Sequence, residues 1–433
     1  CSWLFLNFQK PCKYCFIRMK NNFTLNDDFD EIITLFENSN KNIFITGKAG
    51  TGKSSLINHI KKKTHKNLIV LAPTAIAALN INAKTIHSFF NFPFHVITPD
   101  VIKKHYNKRL VKQIDTILID EVSMLRPDII DAIDLTLQLT RENRNPFGGI
   151  QMIFVGDLYQ LPPVITNDEV NVMNTLYPDG YFFFNSNVIK KIDLIKFELS
   201  QVFRQSDTKL ISLLDRARKA MLDDDDLMVF NRRLVNNDFV VPEEVLTLST
   251  NNYKVNSINA SNLKNIPSKE FTYHAEIDGR YTGTPVDEKL KIKVGAQVML
   301  VKNGKNWVNG TLATIEKLAK NEIHIKVKDE VFLLEPEKWE RFEYTISEKK
   351  VSSSVSATFT QYPIKLAWAA TIHKCQGQTF DNVMIDMDYG AFAHGQTYVA
   401  LSRVVSLDGL FLRKPLKNED FIFNPAIKEF LKY

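Results

Sequence analysis

One eight-residue stretch constrains this chain more than anything else in it: Gly47-Lys48-Ala49-Gly50-Thr51-Gly52-Lys53-Ser54. It satisfies G-x-x-x-x-G-K-[S/T], the phosphate-binding loop, at every fixed position. The flanks are the ones such a loop requires. Lys41 to Thr46 reads as a short buried strand, and Ser55-Leu56-Ile57-Asn58-His59-Ile60 carries helical periodicity into the Lys61-Lys62-Lys63 run. The glycines let the backbone curl so that successive N–H groups converge on one anion, with a helix N-terminus behind them. Lys53 then reaches the β- and γ-phosphates of a nucleoside triphosphate, and the Ser54 hydroxyl takes Mg2+. Gly47, Ala49, Gly50, Thr51, Gly52, Lys53, Ser54 and Ser55 are the expected nucleotide-binding residues.

A strand–loop–helix start calls for further strands, and three follow. Asn67 to Ala72 ends at Pro73-Thr74, Asp115 to Ile119 ends at Asp120-Glu121, and Gln151 to Val155 ends at Gly156-Asp157. Strands separated by helical segments, with the chemistry at their C-termini, predict an α/β fold whose parallel sheet binds ligand at its carboxyl edge. In Asp120-Glu121 one carboxylate would hold Mg2+ and the next would accept the proton of an attacking water. A helix cap is the competing reading of such a pair. Gln160 is placed to feel the γ-phosphate, although Leu161-Pro162-Pro163-Val164 also suits a proline turn leaving a sheet.

With 433 residues there is room for two or three domains, and no run of eighteen apolar residues predicts a membrane span. A net charge of +6 permits a nucleic-acid partner without demanding one. Four cysteines are too few for a disulfide framework, which points to a reducing compartment. Cys12 and Cys15 form a lone C-x-x-C, half a zinc site with no second pair, inside an expected tail or read-through at residues 1–22. The second half is expected to start near residue 191, with a strand over Asp193 to Leu199 and an amphipathic helix from Leu210 to Met221. Asp223 to Asp226 reads as a solvated loop that caps the next helix. From Val294, the glycines Gly295, Gly304 and Gly310 punctuate short alternating runs, which predicts a small β-barrel over 295–351 closed by a Ser-rich turn near Ser352–Ser356.

Taken in order, several stretches resemble the Pif (petite integration frequency) branch of superfamily-one DNA helicases, with RecD-like helicases as relatives. They are Gly47–Ser54, Ala72-Pro73-Thr74, Thr85-Ile86-His87-Ser88-Phe89, Asp120-Glu121-Val122-Ser123-Met124 and Gly156 to Val164 in the first half. Val202-Phe203-Arg204-Gln205, Ala370 to Thr379 and Tyr398-Val399-Ala400-Leu401-Ser402-Arg403 complete the set, so the resemblance runs from about residue 24 to the end.

The resemblance implies a motor of two RecA-like domains with ATP and Mg2+ in the cleft between them. The first domain would occupy 23–190, with a small inserted subdomain near 84–110. The second would occupy 191–294 and 352–433, around the barrel insertion. Lys53, Ser54, Asp120, Glu121 and Gln160 would serve ATP from the first domain, and Arg204 and Arg403 would bring guanidinium groups from the second. Gly377 and Gln378 would face the nucleotide. Thr74, His87, Phe89, Pro163, His373 and Lys374 would touch DNA, although Phe89 and the two histidines also suit a packed interior. Family members track 5′ to 3′ on single-stranded DNA and open duplexes, G-quadruplexes and RNA–DNA hybrids in replication, repair, recombination and telomere maintenance. The implied partners are single-stranded DNA and single-strand/duplex junctions, for a monomer without a membrane. The implied location is the nucleoid of a bacterium, or a nucleus or viral factory. A helicase module of a mobile element and an ATP-gated DNA clamp remain open as alternatives. Where the family carries an adenine-reading Gln, this chain has Leu25-Asn26-Asp27-Asp28, and Cys375 replaces a common Ser.

Overall fold

The computed structural model describes residues 27–432 except 202–206, 237–238, 240, 243, 282 and 348–349. The expected tail over 1–22, its Cys12 and Cys15, and Arg204 lie outside the described residues. A helix over Asp27–Asn38 buries Phe29, Ile32 and Phe36 and delivers the chain to the strand Asn42–Gly47. That strand sits inside a six-stranded, all-parallel sheet. The order is Lys84–Thr85, Leu68–Ala72, Thr116–Ile119, Gln151–Val155, Asn42–Gly47, Leu194–Leu199. Thr116–Ile119 and Gln151–Val155 are buried at every position, because helices cover both faces of a parallel sheet. Leu56, Ile57 and Ile60 of the helix Lys53–Lys63 pack into one core, and Ile129, Ile130, Ile133 and Leu137 of the helix Pro127–Arg141 into another.

Two expected boundaries move. Leu194–Leu199, expected in the second domain, pairs in parallel with the phosphate-loop strand along its whole length and so belongs to the first sheet. The 84–110 segment is no separate subdomain: its strand Lys84–Thr85 edges the main sheet, and Ile86, Phe89, Ile97 and Leu110 join the main core.

The second domain is built on a four-stranded parallel sheet in the order Ala369–Thr371, Leu246–Ser249, Val383–Asp386, Leu410–Leu412. Two parallel-sheet α/β cores are what tandem RecA-like domains require. Between its strands lies an antiparallel region wider than the expected 295–351. A five-stranded sheet runs Glu330–Leu334, Glu322–Val327, Leu312–Ala319, Gln297–Leu300, Ile364–Leu366 and shares one core with the ribbon of Glu270–His274 and Lys289–Lys293. The ribbon precedes the glycine punctuation that marks the region in sequence. A long hairpin, Glu337–Ser347 with Lys350–Gln361, adds Glu276–Asp278 as a third strand. The Ser352–Ser356 stretch is therefore strand, not turn, and the buried Ala357 and Phe359 hold the end of that strand to the sheet. Asp223 does cap the helix Asp224–Asn231, but Asp224 to Asp226 are that helix's first turn and not a solvated loop: Asp226 is buried, closes a reciprocal capping box and pairs with Arg216. Among the described residues no helix is long and apolar enough to cross a membrane.

Candidate active site and nucleic-acid groove

The first-domain side of the cleft is made where buried strands stop. After Gly47 the loop turns through Gly50 and Gly52 at φ 82° and 86°, a region only glycine enters without strain, and Gly52 caps the helix Lys53–Lys63 with no side-chain bond to its N–H groups. The Lys53 ammonium donates to the Gly47 and Lys48 carbonyls at 2.6 and 2.9 Å. Burial lowers its pKa, while the Asp157, Glu121 and Asp120 carboxylates oppose that shift.

Asp120 ends the strand Thr116–Ile119 and is buried. Burial and the neighbouring Glu121 charge push its pKa up to about 7, although the Glu121 N–H bond and Lys53 pull the other way. Glu121 itself is left-handed at φ 50°, an uncommon place for a non-glycine residue and one that cants its carboxylate away from the strand direction. Two adjacent carboxylates, one of them buried, and the exposed Ser54 hydroxyl at the start of the helix Lys53–Lys63 are oxygen donors of the kind Mg2+ takes, since it uses one or two carboxylates and completes its shell with phosphate and water. Gln160 is buried just past the strand Gln151–Val155, and its Nε2 donates to Asp157 Oδ2 at 3.2 Å.

The second domain closes on these groups. Gln376 Nε2 donates to Glu121 Oε2 at 3.2 Å and to Gln160 Oε1 at 3.1 Å, so one amide spans the cleft. The Tyr398 hydroxyl donates to Asp157 Oδ2 and accepts from the Ala49 N–H of the phosphate loop, both at 3.4 Å. Arg218 pairs with Asp157 at 2.9 Å, and Asp215 with Lys48 at 2.7 Å. None of Gln376, Tyr398, Arg218 or Asp157 was among the expected site residues. Gln376 and Tyr398 lie inside stretches already singled out, one position from Gly377 and five from Arg403. Nothing local marks Arg218.

Gln378 was expected at the nucleotide, and the structure turns it elsewhere. The chain passes through Gly377 at φ 80°, and Gln378 Nε2 donates to Asn309 Oδ1 at 3.2 Å in the antiparallel region. Arg403 is fully buried. Its guanidinium donates to the carbonyls of Val399 (2.8 Å), Gln378 (2.9 Å) and Cys375 (3.3 Å) and to Ser402 Oγ (2.6 Å), bracing the turn that carries Gln376. Cys375 beneath it is buried, and that burial pushes its thiol up to about 12.

Behind that turn a groove of about 930 Å³ runs between the two domains. Lys289, Lys291, Lys302, Lys338, Lys365 and Lys374 line it against only Asp287 and Glu340, and the buried Trp339 forms part of its wall. The helix Ala75–Asn80 supplies the first-domain edge, and Thr74 caps that helix by accepting from Ala77 N at 3.2 Å. Half-buried His373 precedes exposed Lys374. Two expected DNA contacts are not available at the surface. Phe89 is 1% exposed and packed among Phe90 and His105, because the helix Ile86–Phe90 turns that side into the core, and Pro163 is likewise buried. The most exposed aromatic described in that region is Phe94, 85% exposed and stacked on His87 at 4.9 Å, where burial and then Arg126 lower the imidazole pKa.

Comparison with known proteins bears on this arrangement as a whole. Residues 24–223 match the family described as PIF1-like helicase. The ATP-dependent DNA helicase Pif1 of Campylobacter jejuni is 32% identical over 89% of this chain and 92% of that protein. The relatives matched in yeast and Xenopus laevis are longer, and the chain spans 60% and 59% of them. Among solved structures, Pif1 from Bacteroides in complex with ADP-AlF4 is 34% identical and superposes with a TM-score of 0.87 over 94% of this chain and 96% of that one. Bacteroides Pif1 bound to single-stranded DNA, at 35% identity and the same coverage, gives 0.69. The fold described above thus superposes more closely on the ADP-AlF4 complex than on the single-stranded DNA complex.

Proposed function

This chain belongs to the PIF1-like helicase family, and from that membership we propose that it is an ATP-hydrolysing DNA helicase that tracks 5′ to 3′ along single-stranded DNA and opens duplex at single-strand junctions. G-quadruplexes and RNA–DNA hybrids fall within the same substrate class, and a monomer is the working unit. The observation that carries this reading is the Gln376 amide held between Glu121 and Gln160. It makes the hydrolytic site a property of two domains, so nucleotide state and domain spacing are one variable.

The γ-phosphate takes the place between Lys53 and Gln160, and Lys53 exchanges its bonds to loop carbonyls for phosphate oxygens. Glu121 accepts the proton of the attacking water. Ser54 and Asp120 are the residues that would hold Mg2+, which when bound neutralises charge on the β- and γ-oxygens. Arg204 and Arg403 answer the charge of the transferring group from the second domain, for which Arg403 gives up the carbonyls of Cys375 and Gln378. The segment from Thr371 to Gln378 has Gln376 in the cleft and Lys374 and Gln378 in the groove, so a shift at the nucleotide moves the grip on a DNA phosphate. Lysines hold the backbone without regard to sequence, and exposed Phe94 suits stacking on any base.

Matched duplexes with a 5′ or a 3′ single-stranded tail test the reading directly. Unwinding that needs ATP and the 5′ tail is expected. Tight ATP-dependent DNA binding with no strand separation on either substrate would identify a clamp instead.

A further inference from the structure

We propose that Arg218 is a positioning residue for ATP hydrolysis, fixing Asp157 and through it the γ-phosphate sensor Gln160 when the second domain docks. The inference rests on the helicase reading above and deepens it. Arg218 ends the helix Thr208–Arg218, which packs on the helix Gln396–Leu401 of the second domain, yet its guanidinium is spent on the first.

Asp157 divides its two oxygens cleanly. Oδ1 takes Arg218 Nη2 at 2.9 Å, Arg218 Nε at 3.3 Å and the Tyr159 N–H at 3.2 Å. Oδ2 takes Gln160 Nε2 at 3.2 Å and the Tyr398 hydroxyl at 3.4 Å. The carboxylate is completely buried, and burial alone would raise its pKa, but the Arg218 and Lys53 charges hold it below the ordinary range. It therefore stays an acceptor, and an acceptor on Oδ2 decides which way the Gln160 amide faces: nitrogen to Asp157, oxygen to Gln376. With Arg218 withdrawn, an uncompensated buried carboxylate remains, and the orientation of Gln160 is no longer determined.

The rest of the guanidinium is fixed as tightly. It lies over the Tyr159 ring at 4.2 Å and gives Nη1 to Glu198 at 3.1 Å. Beside it the two domains touch backbone to backbone: a Cβ on Gly395 would come within 2.3 Å of the Tyr159 carbonyl oxygen. Arg218 is near enough for its charge to weigh on Lys53, yet the partners described for it are Asp157, Glu198 and Tyr159, so it acts on the chemistry through Asp157. A lysine cannot reproduce the fork and the ring stacking together.

The test compares wild type with Arg218→Gln, Arg218→Lys and Glu198→Gln, measuring ATPase kcat and KM with and without single-stranded DNA, fluorescent-nucleotide affinity and thermal melting. Arg218→Gln and Arg218→Lys are expected to lose about tenfold or more in DNA-stimulated kcat with KM and nucleotide affinity changed by less than about threefold. Glu198→Gln, which removes only the half-exposed arm, keeps kcat within about twofold. Restoration of kcat by Arg218→Lys to within about twofold of wild type would overturn the proposal, as would a loss in both variants that matches only the loss of folded protein. If wild-type ATPase ignores DNA, the helicase reading fails separately, and Arg218 is judged by the same criterion on the basal kcat.

Discussion

On the first-domain wall of the cleft every candidate group sits where one buried strand ends: the phosphate loop after Asn42–Gly47, Asp120 and Glu121 after Thr116–Ile119, Gln160 after Gln151–Val155. On the second-domain wall Gln376, Tyr398, Arg218 and Arg403 come from two helices and the turns beside them; the first three bond across the cleft, while Arg403 bonds to carbonyls of its own domain. The first wall is a local device that exists before docking, since backbone N–H groups and strand ends are fixed by the sheet. The second is an assembly, present to the extent that the domains are closed. Nucleotide binding should then depend on the first wall, and turnover on both.

The largest expected effect breaks the first wall alone. Lys53→Ala should lower kcat for ATP by about 10²–10³-fold, the range for removing one group that answers developing charge, while single-stranded DNA still binds. An ATPase assay beside fluorescence-anisotropy titration reads both, and normal hydrolysis would remove Lys53 from its role. Gln376→Ala strikes the second wall. It should cost about tenfold in kcat and leave nucleotide affinity within about threefold, because the lost bonds join the domains and not the ligand. Equal losses in affinity and kcat would place Gln376 on the nucleotide and erase the distinction between the walls.

The same difference explains what could be read from sequence. The phosphate loop, the Asp120-Glu121 strand end and Gln160 each announce themselves within a dozen residues, because spacing along a strand–turn–helix unit fixes their geometry. Gln376 was missed in favour of Gln378 because the direction of each amide is set by the turn at Gly377, φ 80°, and not by the spacing. Arg218 gives no local sign at all: its value lies in Asp157, 61 positions away. The fold was legible on the same terms. Apolar runs gave the parallel strands, but Leu194–Leu199 was assigned to the wrong domain because nothing in it says which sheet it joins. Phe89 and Phe94 are both aromatic residues in one short stretch, and only packing of the helix Ile86–Phe90 decides which is buried.

That last pair sharpens the comparison on the DNA side. Phe94→Ala should weaken single-stranded DNA binding by about 1 kcal/mol, the low end for one stacking ring, and leave melting within about 0.5 kcal/mol. Phe89→Ala should instead act through the fold, by loss of a core aromatic, and show as a lower melting temperature with the affinity of the folded protein retained. If Phe94→Ala bound DNA as wild type does, Phe94 would lie off the path of the strand.

The smallest effect belongs to the second-domain edge of the groove, and it is best seen as a slope. Exposed Lys374 adjoins His373 and follows the strand Ala369–Thr371 into the turn carrying Gln376, so one segment puts a charge in the groove and an amide in the cleft. A phosphate contact releases counterions, so Lys374→Ala should reduce the steepness of log affinity against log salt by about 0.7, the single-strand value for one contact. At fixed moderate salt the loss is only severalfold and sequence-independent. The nucleotide state should matter as well: if the segment moves with Gln376, the slope difference between wild type and Lys374→Ala should change when a non-hydrolysable ATP analogue is added. A slope difference unaffected by nucleotide would mean that Lys374 holds DNA independently of the cleft, and the coupling would then have to run through the body of the second domain.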